Sequence, residues 1–385
     1  MLGTSEGPVP SDIIQVLQLR TFNDPWLPRL ETFQCEESTD GFIPLIPLFL
    51  SPKITRIWIG FAESTPAVVI GSMIARLSIL CPDLERVTLN KLPEDPIITE
   101  AASELLLACN RDTLETFEVD SPLTDEAREV VSNLPTLSSL WVVIQGPTLL
   151  PTMTLPNLTR IDVEHDDDID WLQGFRGTPL EKLESVSFCS ESDDIGDFLG
   201  AFERVALSAQ NTLSGFRFYT SGSWDPKYSP LLSFKRLKKV EIQFSCEDGC
   251  SSRVDDDIIV NLARSMPGLE ALQLGDTPCA TPIGITINGF VGLARLCPHL
   301  SKLRIRFQVT SLVEAATGVT PLPSTNSKPA VQREGCALTI LEVGQIPFPA
   351  RSRLVIAHIL LQNFPRILNI KYCNKGWGTV AEIIK

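Results

Sequence analysis

One short apolar motif returns along this chain and constrains its fold more than any other feature. It is often a proline, then an apolar residue, two variable positions, an apolar residue, one variable position and a further apolar residue. Pro82-Asp-Leu-Glu-Arg-Val-Thr-Leu89, Pro156-Asn-Leu-Thr-Arg-Ile-Asp-Val163, Pro267-Gly-Leu-Glu-Ala-Leu-Gln-Leu274 and Pro298-His-Leu-Ser-Lys-Leu-Arg-Ile305 carry it plainly. Looser copies begin near Leu30, Ile54, Leu114, Leu137, Leu183, Leu213, Leu237, Leu338 and Ile367, about thirteen in all at spacings of roughly 21 to 38 residues.

The apolar-x-apolar step is the period-two alternation of a short strand, with Val87 and Leu89 facing in and Thr88 facing out. Between the strands lie segments of helical periodicity, clearest at 67–80, 97–109, 125–134, 195–209, 257–266, 287–296 and 351–364. Thr124 and Asp255 stand where capping oxygens begin a helix, and Pro82, Pro135, Pro267 and Pro298 end one. Stacked copies would pair their strands in parallel and bury each other's apolar rows. The expected fold is therefore an α/β leucine-rich-repeat solenoid, with strands on a concave face and helices on a convex one. Residues 28–385 form the repeat domain, and residues 1–27 are expected to be an N-terminal cap or its remnant. Around 317–333 the apolar period stops in a Pro-, Ser- and Thr-rich stretch, which reads as an inserted mobile loop.

Composition narrows the function. With 33 basic and 47 acidic residues the net charge is −14, which opposes general nucleic-acid binding. The ten cysteines include no CxxC pair and read as reduced thiols, implying a cytoplasmic or nuclear protein. The opening residues lack the basic flank and apolar run expected of a signal peptide, and the most apolar run, 42–50, is too short to span a bilayer.

The phrases LCPDLERVTL (80–89), NTLSGFRFY (211–219), SMPGLEALQLGD (265–276) and LARLCPHLSKLRIRF (293–307) resemble those of fungal F-box/leucine-rich-repeat proteins, of the set typical of mushroom-forming fungi. The resemblance implies a protein that captures substrates for a cullin-type ubiquitin ligase through a Skp-type adaptor. Two departures stand out. The position three residues beyond the last strand leucine holds Leu92, Pro122, Asp166, Ser245 or Thr277, so the usual asparagine ladder is missing and irregular turns are expected. No F-box is recognisable before the first repeat, and a truncated or diverged copy is expected.

Chemistry-bearing clusters are few. Glu164-His165-Asp166-Asp167-Asp168 has metal-ligand residue types, yet it follows a strand and lacks calcium-loop spacing, so it reads as a solvated exit loop before it reads as a metal site. Cys246 and Cys250, with Cys279 one repeat along, offer half a zinc site or an ordinary loop. The three histidines, His165, His299 and His358, lack a triad arrangement, and no phosphate-binding glycine loop is written. No catalytic residue, metal or cofactor is assigned. Binding candidates lie instead in the outward strand column, which runs Gln34, Trp58, Thr88, Glu118, Trp141, Asp162, Ser187, Arg217, Glu241, Gln273, Arg304, Glu342 and Lys371. A second outward column adds Asp120, Val143, Glu164, Tyr219, Gln243 and Arg306. Trp58, Glu118, Trp141, Asp162, Arg217, Tyr219, Glu241, Arg304 and Arg306 are the expected partner contacts, because Trp, Tyr and Arg bring large area with few rotors. The expected function is non-enzymatic protein binding, with ubiquitin-ligase substrate capture set against a regulatory or assembly scaffold. A metal-dependent enzyme is the remaining rival.

Overall fold

The computed structural model describes residues 26–38, 42–145, 151–165, 170–175, 177–178, 180–190, 199–203, 206–220, 229–244, 254–275, 284–305, 336–343, 352–372 and 375–384. The chain divides into two compact units, Met1–Leu183 and Glu184–Lys385. The proposed cap at 1–27 lies almost wholly outside the described residues, and the 317–333 insertion entirely so.

The first unit holds strands β1 (Thr32–Ser38), β2 (Arg56–Phe61), β3 (Arg86–Asn90), β4 (Thr116–Pro122), β5 (Ser139–Ile144) and β6 (Arg160–His165), each paired in parallel with the next. Helices α1 (Ala67–Leu80), α2 (Pro96–Ala108) and α3 (Asp125–Val131) connect them in part. The second unit holds β7 (Ser185–Ser190), β8 (Gly215–Thr220), β9 (Lys239–Phe244), β10 (Ala271–Leu274), β11 (Lys302–Ile305), β12 (Ile340–Val343) and β13 (Asn369–Tyr372), again all parallel and in chain order. Its helices are α4 (Asp256–Ser265), α5 (Ile287–Leu296), α6 (Ser352–Asn363) and α7 (Lys375–Ile384). This is an α/β architecture of thirteen parallel strands, with the strand order of stacked repeats.

Every strand begins two residues after one of the thirteen apolar anchors read from the sequence. Ile54, Leu84, Leu114, Leu137, Leu213, Leu237, Leu300 and Leu338 among them are wholly buried. Each strand then sends alternate residues into the core, such as Ile57 and Ile59, Val87 and Leu89, or Phe216 and Phe218. In the second unit Phe188, Phe202, Phe216 and Phe234 form one ring cluster, with centroids 5.2 to 6.2 Å apart. Such clusters add specific geometry to a large buried area.

The helix starts follow the sequence. Asp95, Thr124, Asp255 and Thr286 each accept a hydrogen bond from a backbone N–H in the first turn of α2, α3, α4 and α5. One local expectation fails: the helix expected over 125–134 stops at Val131. The 3₁₀ turn at Ile43–Leu48 and helix α7 are elements that no sequence expectation covered. The described part of 195–209 ends in a 3₁₀ turn, Ala206–Ala209.

Candidate functional site

Within each unit the repeats are tied together at the start of β2–β6 and of β8–β13, by bonds that require no side chain. The carbonyl of Glu85 accepts from both Glu115 N (2.8 Å) and Thr116 N (3.1 Å), and that of Glu115 from Ser138 N (2.7 Å) and Ser139 N (3.1 Å). Carbonyls of Ser138, Glu184, Ser214, Lys238, Glu270, Ser301 and Thr339 repeat the same forked bond. Where a hydroxyl follows it joins in. Ser138, Thr159, Ser214, Ser301 and Thr339 donate from Oγ to that carbonyl at 2.9 to 3.1 Å. This ladder satisfies buried polar backbone before these strands and fixes the register between neighbours. The missing asparagine ladder therefore does not leave the repeats unlinked.

That register aligns the outward column. Gln34 stands opposite Trp58, Trp58 opposite Thr88, Thr88 opposite Glu118, Glu118 opposite Trp141, and Trp141 opposite Asp162. In the second unit Ser187, Arg217, Glu241, Gln273, Arg304, Glu342 and Lys371 follow in the same way. Arg217 is exposed, and Trp58, Glu118, Trp141, Asp162, Tyr219, Glu241 and Arg304 are half-buried. Arg306 lies outside the described residues. Thr88 and Gln273, read as outward, are nearly covered by their neighbours at 9% and 7% exposure.

The two units use this column differently. In the second unit charges alternate from strand to strand and neutralise one another. Arg217 Nε donates to Glu241 Oε2 (2.8 Å), and Gln243 Nε2 to Glu241 Oε1 (2.5 Å). With its amide turned so that oxygen faces donors and nitrogen faces the carboxylate, Gln273 donates to Glu241 Oε1 (3.2 Å) and accepts from Gln243 Nε2 (3.0 Å) and Arg304 Nη1 (3.1 Å). Glu342 is shared by Lys371 Nζ (2.9 Å) and Arg304 Nε (3.5 Å). Burial and then the Glu241 carboxylate push the Tyr219 phenol above its ordinary pKa. In the first unit Glu118 is held by hydroxyls instead, Thr88 Oγ1 at 3.2 Å and Ser139 Oγ at 2.7 Å. Asp162 pairs with Arg160 on its own strand at 2.6 Å.

One part of the second column moves. Between Glu118 and Pro122 the β4 register slips, so that Pro122 and not Asp120 stands opposite Val143. Proline has no N–H to give the ladder, and a bulge absorbs the extra residues. Asp120 turns towards the preceding repeat, where its Oδ2 accepts from Lys91 N at 3.2 Å. Lys91 has φ of 61°, a left-handed conformation unusual for a side chain-bearing residue.

The other clusters are dispersed. Glu164 is exposed whereas His165 is 3% exposed, because adjacent strand residues face opposite ways. Residues 166–168, and Cys246, Cys250 and Cys279, lie outside the described residues. No grouping of three metal-ligating side chains occurs among the described residues. His299 is exposed, and His358 Nε2 shares a hydrogen bond with the Gln362 amide at 2.8 Å. The six described cysteines are free thiols. Burial pushes Cys81, Cys109 and Cys297 up to about 12, so they stay protonated. All three stand at helix C-termini, and Cys297 Sγ reaches the carbonyls of Ala263 (3.8 Å) and Met266 (3.6 Å) in the previous repeat. They pack as small hydrophobes.

No family model and no curated protein matches the chain. No helix among the described residues is long and apolar enough to cross a membrane. Elsewhere, an open groove of about 450 Å³ lies between the Ile43–Leu48 turn and α1, lined by Ile43, Pro44, Pro47, Val68, Val69 and Met73 with Ser72 and Arg76.

The sequence missed Ser139, Thr88 and Gln273 as parts of the column's polar network. Their signal was present, since each occupies an outward strand position in register with a charged residue: Thr88 with Glu118, Ser139 with Arg160 and Gln273 with Glu241. It becomes readable only when the column is read across repeats and not along one.

Proposed function

We propose that the chain is a leucine-rich-repeat scaffold that recognises other proteins through the outward face of its parallel strands. The observation that supports this best is the unbroken alignment, within each unit, of one side-chain column carrying Trp58, Glu118 and Trp141 in the first and Arg217, Glu241 and Arg304 in the second. A rigid backbone carrying half-exposed aromatic and charged groups in fixed spacing loses little entropy on binding. The likeness of its repeat phrases to fungal F-box/leucine-rich-repeat proteins extends the reading to substrate capture for a cullin-type ubiquitin ligase, in the cytoplasm or nucleus.

Affinity capture from a fungal lysate, read by mass spectrometry, tests both levels. Wild-type protein should retain a set of proteins that the Trp58→Ala/Trp141→Ala double variant loses at an unchanged melting temperature. Identical sets from both proteins would remove the sheet face as the recognition surface. A Skp-type adaptor and a cullin among the retained proteins support the ligase role; partners without them point to a scaffold unrelated to ubiquitin.

A further inference from the structure

We infer that the first unit's face takes an arginine-bearing protein segment, with a guanidinium laid on Trp141 and hydrogen-bonded to Glu118. This rests on the reading of the outward sheet face as a recognition surface and adds the chemistry of its partner.

The juxtaposition is specific. Trp141 stands in register between Glu118 and Asp162, on strands about 4.8 Å apart. A cation over the indole therefore lies within reach of the neighbouring carboxylate. Asp162 already pairs with Arg160 at 2.6 Å, but Glu118 does not pair with a cation among the described residues. Its two oxygens accept one hydroxyl each, from Thr88 and Ser139, and a carboxylate keeps further lone pairs beyond those. The hydroxyls also hold the carboxylate in one rotamer, so little freedom remains to be lost when a ligand arrives.

Charge decides the class of ligand. The column leaves a negative group beside an aromatic face, and the whole chain, at −14, attracts cations. A guanidinium fits better than an ammonium because it is planar, stacks on indole and offers its donors in a fork that matches a carboxylate. The second unit makes the contrast. There Glu241 is already engaged by Arg217, and Glu342 by Arg304 and Lys371, so an incoming cation must displace an internal one.

The test uses a fluorescein-labelled peptide of four Arg-Gly repeats, its Lys-Gly counterpart and fluorescence anisotropy at low salt. Trp141→Ala and Glu118→Gln should each weaken binding of the arginine peptide about tenfold at unchanged melting temperature. Glu342→Gln in the second unit should change it less than about twofold, and the lysine peptide should bind several-fold more weakly. Equal losses from Glu118→Gln and Glu342→Gln would mean diffuse charge attraction and overturn the assignment, as would full affinity in Trp141→Ala. If Trp141→Ala strips captured lysate proteins yet leaves arginine-peptide binding untouched, the recognition face stands and its arginine specificity falls. If neither changes, both fall.

Discussion

At the scale of single residues, Asp120 shows how a slip in register creates a chemical environment. The β4 bulge carries its carboxyl into partial burial, and burial raises its pKa, with Glu94 adding to the rise and the Lys91 N–H opposing it. A carboxyl whose folded pKa is raised favours the protonated native state. Its contribution to stability is present at low pH and is lost as pH climbs from the unfolded value through the folded one. Asp120→Asn keeps an oxygen for Lys91 N and removes the charge. The variant should therefore melt higher than wild type at neutral pH, with the gap closing as pH falls into the range where Asp120 is protonated in both states. Thermal melts from pH 3 to 8 check this, and a gap that widens on acidification contradicts it. Nothing in the sequence marks Asp120 as different from its column neighbours. The alternation of apolar and polar residues holds from Thr116 to Asp120 and lapses only at Ser121-Pro122, so the sequence does not show that the slip already begins after Glu118.

At the scale of elements, one contact links helices of successive repeats. Asp256, in the first turn of α4, accepts from Thr286 N at 2.6 Å and from the Thr286 hydroxyl, which itself caps α5. Gly289 makes room for that carboxylate, since a Cβ there would stand 2.4 Å from Asp256 Oδ1 and 3.2 Å from Asp256 Cα. Alanine in a helix gains up to about 1 kcal/mol over glycine. Crowding in a filled site costs about 1–3 kcal/mol, and loss of a cap about 1 kcal/mol more. The clash should win. Gly289→Ala is expected to lose about 1–3 kcal/mol in urea unfolding, and a stabilised variant would show that the capping contact yields freely. Elements were legible wherever burial imposes a period. The thirteen anchors had to be apolar because each closes a repeat, and Asp255 and Thr124 had to carry oxygens because helix N-termini leave donors unpaired. Helix α7 was not legible because Gly376 and Gly378 flank Trp377 and suggest a turn, although Trp377 and Val380 share its buried face. The ladder before these strands was hidden for a different reason. Its acceptors are backbone carbonyls, which every residue possesses.

At the scale of the whole molecule, stacking repeats turns a local pattern into a surface. One outward residue per repeat has little meaning alone, but register places successive ones side by side in a column. The column's membership was legible in the sequence from Gln34 to Lys371. Its internal bonding was not, because whether Glu118 meets hydroxyls or cations depends on which repeats adjoin. Helix residues are also exposed, Ile79 in the first unit at 76% and Leu354 in the second at 69%, and provide a rival site in each unit. The most direct measurement places a photo-reactive benzophenone amino acid, one position at a time, at Trp58, Trp141, Arg217, Ile79 and Leu354, and compares the adducts formed with captured partners. Adducts from the three strand positions, with few or none from Ile79 and Leu354, are the expected result. Adducts confined to the helix positions would contradict recognition through the sheet face.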